Sequence, residues 1–223
     1  MLFLAVFCGF LAEYQLEHVI EHQREKQFMI FMLEDLENDT TELKRATIKA
    51  DEVGRYSDSL IIFFNTLKKS GQAPAHLALL AGKAGQHQIL INTDRTSSQL
   101  KNSGAMRLIR NKKVSDSILS YWKQIEISNV SLERFMRYRN TGRDLLFKLW
   151  IIPQVYISGS GIKADSIQYL RIIDEDPKKW DELANLVAMG GNISRSAHMK
   201  NLQQQFEMAK ELISIIKEAY HLK

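Results

Sequence analysis

"LENDTTELKRATIKADEVGRYSDSLIIFFNTL", residues 36 to 67, repeats apolar residues at intervals of seven. Leu36, Leu43 and Ala50 form one series; Ala46, Val53, Leu60 and Leu67 form another. Interleaved, the two series fall on one stripe of an α-helix, the seam expected of coiled-coil packing. Toward the N-terminus no proline or glycine interrupts the chain as far as Glu13, so one helix is expected from residue 13 to about residue 69. Gly54 is its weak point, at about 1 kcal/mol relative to alanine. The run stops at Ser70-Gly71-Gln72-Ala73-Pro74, a glycine followed by a proline.

Further helices follow the same logic. Residues 75 to 92 read as a shorter helix around Leu77, Leu79, Leu80, Ile89 and Leu90. Thr93 or Asp94 can cap another that runs toward Asn102, where Ser103-Gly104 interrupts. Residues 114 to 150 give a second long helix through Ile118, Tyr121, Trp122, Ile125, Leu132, Phe135, Leu145 and Leu149; Gly142 bends it and Pro153 ends it. Asp174 or Asp176 with Pro177 starts a short helix through Trp180, Leu183 and Leu186, which Gly190-Gly191 is expected to break. Met199, Leu202, Phe206, Ala209, Ile213, Ile216 and Tyr220 then mark a core stripe on the last helix. No strand pattern and no internal repeat is present.

Residues 1 to 12, MLFLAVFCGFLA, carry no charge and no polar face. As a helix they span about 18 Å, against about 30 Å of hydrocarbon. The economical expectation is that Met1 falls inside a transmembrane helix, with the lipid bilayer as the partner of residues 1–12. The next fourteen residues hold two basic side chains, Arg24 and Lys26. That scarcity favours a non-cytoplasmic side. A buried helix start in a soluble protein is the competing reading. Cys8 is the single cysteine, which excludes an intramolecular disulfide and a cysteine-based zinc cage.

His18-Val19-Ile20-Glu21-His22 spells H-x-x-E-H, a zinc-peptidase signature. His18 and His22 lie four apart, on one helical face, and are the metal candidates. Yet Glu13, Glu17, Glu21 and Glu25 continue the spacing of four, as a solvated helix would. A di-iron bundle needs Glu-x-x-His pairs, and Gln15, Val19 and Arg195 stand where those glutamates would be. The SGSG stretch at 158–161 lacks the Lys-Ser or Lys-Thr of a phosphate cradle, and Ser160 has no G-x-S-x-G context. No catalytic constellation and no cofactor motif emerges.

The net charge of +4 hides an asymmetry. Glu13 to Asp58 holds 12 acidic and 6 basic residues; Lys101 to Lys148 holds 11 basic and 4 acidic. Arg134, Arg137, Arg139 and Arg143 cluster in the basic block as a candidate anion or partner contact. No nucleic-acid motif accompanies them. Pairing with the acidic first helix explains them more simply, each exposed pair contributing about 0–1 kcal/mol.

LAVFCGFLAEYQLEHVIEHQREKQF near the start, TSSQLKNSGAMRLIRNKKVSDSILSYW in the middle and AKELISIIKEAYHLK at the end together resemble an uncharacterised family of single-pass, membrane-anchored helical proteins common in Bacteroidota. The resemblance touches both ends and the middle of the chain. It implies a membrane location and a helical fold, and no activity.

The expected fold class is all-α: an N-terminal transmembrane helix continuing into a long helix that packs in an extended antiparallel helical bundle with coiled-coil character. Residues 1–15 would be the C-terminal part of the anchor and residues 16–223 an extracytoplasmic bundle. The helix from Glu13 to Leu67 would pack antiparallel against Val114 to Leu149, with Leu202, Phe206, Ile213 and Ile216 completing the core. The expected function is a non-enzymatic scaffold or interaction protein of the bacterial cell envelope. It would be single-pass in the inner membrane, with a periplasmic helical domain, and a homo-oligomer or part of a larger membrane complex, without nucleic acid. The alternatives are a ligand-sensing or signalling module, with a pocket near Trp122, Trp150 and Tyr156, and a zinc metallopeptidase acting through His18, Glu21 and His22.

Overall fold

The computed structural model describes residues 2–67, 73–74, 76–87, 90, 92–150 and 169–222. The expected stop at Ser70-Gly71-Gln72, the side chain of Leu67, Ile89, Pro153, Tyr156 and the stretch 158–161 with Ser160 lie outside the described residues. The fold is all-α, with helices α1 (Leu2–Leu67), α2 (His76–Ala84), α3 (Arg95–Asn102), α4 (Lys112–Leu149), α5 (Pro177–Asn192) and α6 (Met199–Tyr220). A 3-10 turn, Ala105–Leu108, follows α3, and a π-helical segment, Ile193–His198, joins α5 to α6. Two-residue strands, β1 (Ala73–Pro74) and β2 (Tyr169–Leu170), pair antiparallel. Among the described residues no helix is long and apolar enough to cross a membrane.

Contacts group the chain into two compact units: Met1–Glu42 with Ile91–Lys123 and Phe206–Lys223, and Leu43–Leu90 with Gln124–Gln205. In the first unit Met29, Met32 and Leu36 of α1, Leu100 of α3, Val114, Ile118 and Tyr121 of α4, and Leu212 and Ile216 of α6 are buried. Glu25 accepts a hydrogen bond from the Arg110 amide, just ahead of α4, and Asp39 accepts one from the Tyr121 hydroxyl. Both α1 and α4 therefore advance in the same direction. The α6 helix runs the other way, with Lys217 beside Glu37 and Tyr220 beside Glu25.

In the second unit the heptad residues Leu43, Ala46, Ala50, Val53 and Leu60 are all buried. One core cluster joins Val53 to Phe135 and Ile193. A second joins Leu60 and Phe64 to Leu77, Leu149, Trp150, Trp180 and Leu183. Again α4 follows α1 in direction, and α5 opposes it.

The acidic and basic helices do touch, but they are parallel, which corrects the antiparallel expectation. The connection explains why. In the second unit it has already turned back along α1, with Leu77 beside Leu60 and Phe64 and Gln86 bonded to Lys49. In the first unit Thr93 meets Asp39 and Arg110 meets Glu25. A connection that returns along the helix leaves the next helix to run forward. The oppositely directed partners of α1 are α5 and α6.

Two local expectations also change. Gly190-Gly191 does not break the helix; α5 runs through it into the π-helical segment. A Cβ on Gly191 would lie 2.5 Å from the Ser57 Cβ, and one on Gly54 would lie 3.0 Å from the Arg195 Cβ. These glycines let two helices approach closely, which outweighs their low helix propensity. On α6 the inward stripe is Gln205, Ala209, Leu212 and Ile216, while Phe206 and Ile213 are half-buried. Spacings of three and four tolerate a stripe displaced by one residue, and the Lys210 ammonium covers the Phe206 ring at 5.3 Å. Leu202 is buried as expected.

Candidate functional site

The H-x-x-E-H segment lies on α1 in the first unit, where Arg110 occupies its charged groups. The Arg110 guanidinium sits 2.9 Å from His18 Nδ1 and 3.0 Å from Glu21. His22 instead faces Glu25, at 3.4 Å. The two candidate ligands, His18 and His22, are thus engaged by different partners, Arg110 and Glu25. No group of three or more His, Cys, Asp or Glu suited to a metal occurs among the described residues.

Three buried carboxylates of α1 bond to the chain around them. Glu25 accepts from the Arg110 amide at 2.8 Å and the Tyr220 hydroxyl at 2.6 Å. Asp35 accepts from the Thr96 amide at 2.9 Å, and Asp39 from the Thr93 amide and the Tyr121 hydroxyl at 2.7 Å each. Asp35 thereby caps α3 from another helix, whose own N-cap residue Asp94 makes no side-chain cap bond. Burial raises the Asp39 carboxyl above the ordinary carboxylate range, against the opposing hydrogen bonds. Burial, then Glu25, pushes the Tyr220 hydroxyl up. These groups hold structure together, and none lines the cavity of the second unit.

At the start of α1 the apolar run stays in the open. Phe3 is 81% exposed and Phe10 68%, and Leu4, Val6, Phe7, Leu11, Leu16, Val19 and Ile20 are exposed with them. Stepped at 100° per residue, they occupy every face of the helix. Cys8 is exposed too. The buried helix start of a soluble protein is not what the described chain forms.

The second unit contains a cavity of about 590 Å³. It opens between the two core clusters, with Phe135 and Tyr138 from one and Leu60, Phe64, Leu146 and Leu183 from the other. Five of the eleven glycines line it: Gly82, Gly85, Gly142, Gly190 and Gly191. Its polar groups include His87, Arg139 and Arg143. Arg139 donates through Nε to the Gly85 carbonyl and through Nη1 to Asn140. Burial, then Arg143, lowers the Arg139 pKa; burial, then Arg139, lowers that of His87.

The four arginines read from the sequence thus divide. Arg139 and Arg143 line the cavity, whereas Arg134 and Arg137 lie exposed on α4. None of the four forms a described ion pair with α1; Arg143 pairs with Asp144 at 3.5 Å. The acids of α1 are matched instead by Arg95, Arg110, Arg195 and Lys217. Of the aromatic residues expected around a pocket, Trp122 belongs to the first unit and Trp150 to the second, and neither lines the cavity.

No family model, curated protein or solved structure matches the chain.

A buried polar cluster lies beside the cavity in the same unit. Ser131 donates to the Ser128 carbonyl at 2.7 Å and stands 2.9 Å from His198 Nδ1. That arrangement suits a neutral imidazole whose Nδ1–H donates to Ser131. Burial pushes His198 down to about 4. Ser194 donates to the Ala50 carbonyl at 2.9 Å. Reading the sequence missed this cluster and the cavity. The signal available was the set of glycines inside helices, which was read as breaks and bends.

Proposed function

We propose that this chain is a non-enzymatic, membrane-anchored helical scaffold or interaction protein of the bacterial cell envelope. The observation that carries the reading is the exposed apolar run of α1, from Phe3 to Leu11. Apolar surface left in water costs about 25 cal/mol per Å², and a patch of this kind marks a membrane or partner interface. Residues 1–15 would serve as part of a single-pass anchor in the inner membrane. The scarcity of basic residues after the run favours a periplasmic bundle. The resemblance to membrane-anchored helical proteins supports the same reading. Ile48 and Ile62 of α1, and Ile127 and Val130 of α4, also stay exposed, which supports self-association or a larger membrane complex.

Flotation of the full chain with vesicles of phosphatidylethanolamine and phosphatidylglycerol tests the anchor. The chain should rise with the vesicles. Replacing Phe3, Phe7 and Phe10 together by serine should leave it in the bottom fraction with its circular dichroism unchanged. Equal flotation of both proteins, or of neither, would sink the proposal.

The cavity of the second unit favours one further reading, a ligand-sensing module on the same scaffold. Its volume lies in the range of small-molecule sites, about 300–1,000 Å³. The zinc-peptidase alternative has no such support, because Arg110 is bound at His18 and Glu21.

A further inference from the structure

We infer that the cavity of the second unit binds a single-chain anionic amphiphile, its carboxylate on Arg139 and its hydrocarbon chain among Leu60, Phe64, Leu146 and Leu183. The inference deepens the ligand-sensing reading and rests on it only for the existence of an open site.

Charge is the first argument. Arg139 is half-buried, and its named acceptors, the Gly85 carbonyl and Asn140 Oδ1, are both neutral. Arg143, 3.5 Å from Asp144, places a second guanidinium one turn away, and no Asp or Glu lines the cavity among the described residues. A partly desolvated guanidinium gains from a counter-charge. A carboxylate would supply both the charge and a planar, bidentate acceptor. Burial and Arg143 already lower the Arg139 pKa, and an anion at this place would oppose both effects.

Shape is the second argument. The lining positions of α4 run from Phe135 to Phe147 along one helical face, about 18 Å at 1.5 Å per residue. That wall is long enough to follow an extended alkyl chain. Polarity is uneven along it, with Arg143 one turn beyond Arg139 and nearer the Phe147 end. His87 and Arg139 lie toward the Phe135 end, and Leu60, Phe64, Leu146 and Leu183 belong to the core cluster built around Trp150 and Trp180. Glycines hollow the wall. A Cβ on Gly82 would meet nothing within 4 Å, and one on Gly142 would come no closer than 3.6 Å, to the Leu186 Cβ.

The test titrates the full chain with hexadecanoate labelled with carbon-13 at the carboxyl carbon, followed by NMR. Hexadecanol and acetate serve as competitors. A distinct protein-bound carboxyl resonance should saturate at one per chain. Arg139→Gln should weaken hexadecanoate at least tenfold, and hexadecanol should compete equally poorly in both proteins. Gly142→Leu, which fills the cavity, should abolish the bound resonance; should that variant fail to fold, Leu186→Phe narrows the same wall. If hexadecanol competes as well as the acid and Arg139→Gln changes nothing, the ligand class is wrong while the open site stands. If acetate competes at the same concentration as hexadecanoate, the chain-binding half is wrong. Absence of any bound resonance overturns the inference; the ligand-sensing reading falls with it only if Gly142→Leu also leaves the stability of the chain unchanged, as it would where no open site exists to fill.

Discussion

The two units share α1 and treat polarity in opposite ways. The first unit buries carboxylates. Glu25, Asp35 and Asp39 accept hydrogen bonds from amides and hydroxyls of segments packed on α1, so each buried charge has partners. Among the described residues the second unit buries no carboxylate; its buried polar groups are serines, Gln124, His198 and Gln205. Its core is divided into two clusters, and glycines leave a cavity between them. A single heptad seam is therefore compatible with buried carboxylates in one unit and with a cavity in the other. The residues opposite the seam differ: donors to buried carboxylates of α1 in one unit, glycines around a cavity in the other.

If that contrast is right, the largest loss should follow removal of a buried carboxylate. Glu25→Ala leaves the Arg110 amide and the Tyr220 hydroxyl without their acceptor, and should cost about 3–5 kcal/mol in chemical denaturation. A loss below about 1 kcal/mol would mean that these bonds do not close the first unit.

The next effect belongs to the second unit and depends on pH. His198 is pushed from 6.5 down to about 4, so the unfolded chain binds its proton more readily than the folded one. Stability contributed by the neutral ring is fully present above pH 6.5 and is lost as pH falls through about 4, a loss of about 3 kcal/mol. Asp39 acts with the opposite sign. Its raised carboxyl makes stability fall as pH rises from the ordinary carboxylate range to its raised value. Denaturation of His198→Gln between pH 4 and 7 separates the two, since only the histidine contribution should vanish. An unchanged slope would remove His198 from the account.

The smallest effects sharpen the role of the glycines. Gly191→Ala forces a Cβ to within 2.5 Å of the Ser57 Cβ and should cost about 1–3 kcal/mol. Gly142→Ala meets only ordinary contact at 3.6 Å and should stabilise by up to about 1 kcal/mol through helix propensity. Thermal melts of the two variants that shift equally would show that close approach and cavity wall are not distinct roles.

Much of the architecture was legible because it rests on local rules. The seam from Leu36 to Leu60 predicts what α1 buries, and Asp176 caps α5 as its position ahead of Pro177 implies. Helix direction was not legible, because it depends on the path of residues 68–111 rather than on any pattern within α1 or α4. Nor was the partner of each acid. Charge totals cannot distinguish a guanidinium on a neighbouring helix from the backbone amides that Glu25, Asp35 and Asp39 accept from. Arg139 and Arg143 were legible as a charged cluster, but the cavity was not, since emptiness has no residue pattern. Its only trace was glycine inside helices, where the local rule is a break and the packing rule, which prevails at Gly191, is close approach.

Hydrogen–deuterium exchange of the full chain with and without hexadecanoate tests the contrast between the units most directly. The account predicts slower exchange at residues 81–87, 135–147 and 183–191 when hexadecanoate is present, and no change at residues 25–39, 93–96 and 110–121. Protection that is absent around the cavity, or equal in both units, would contradict it.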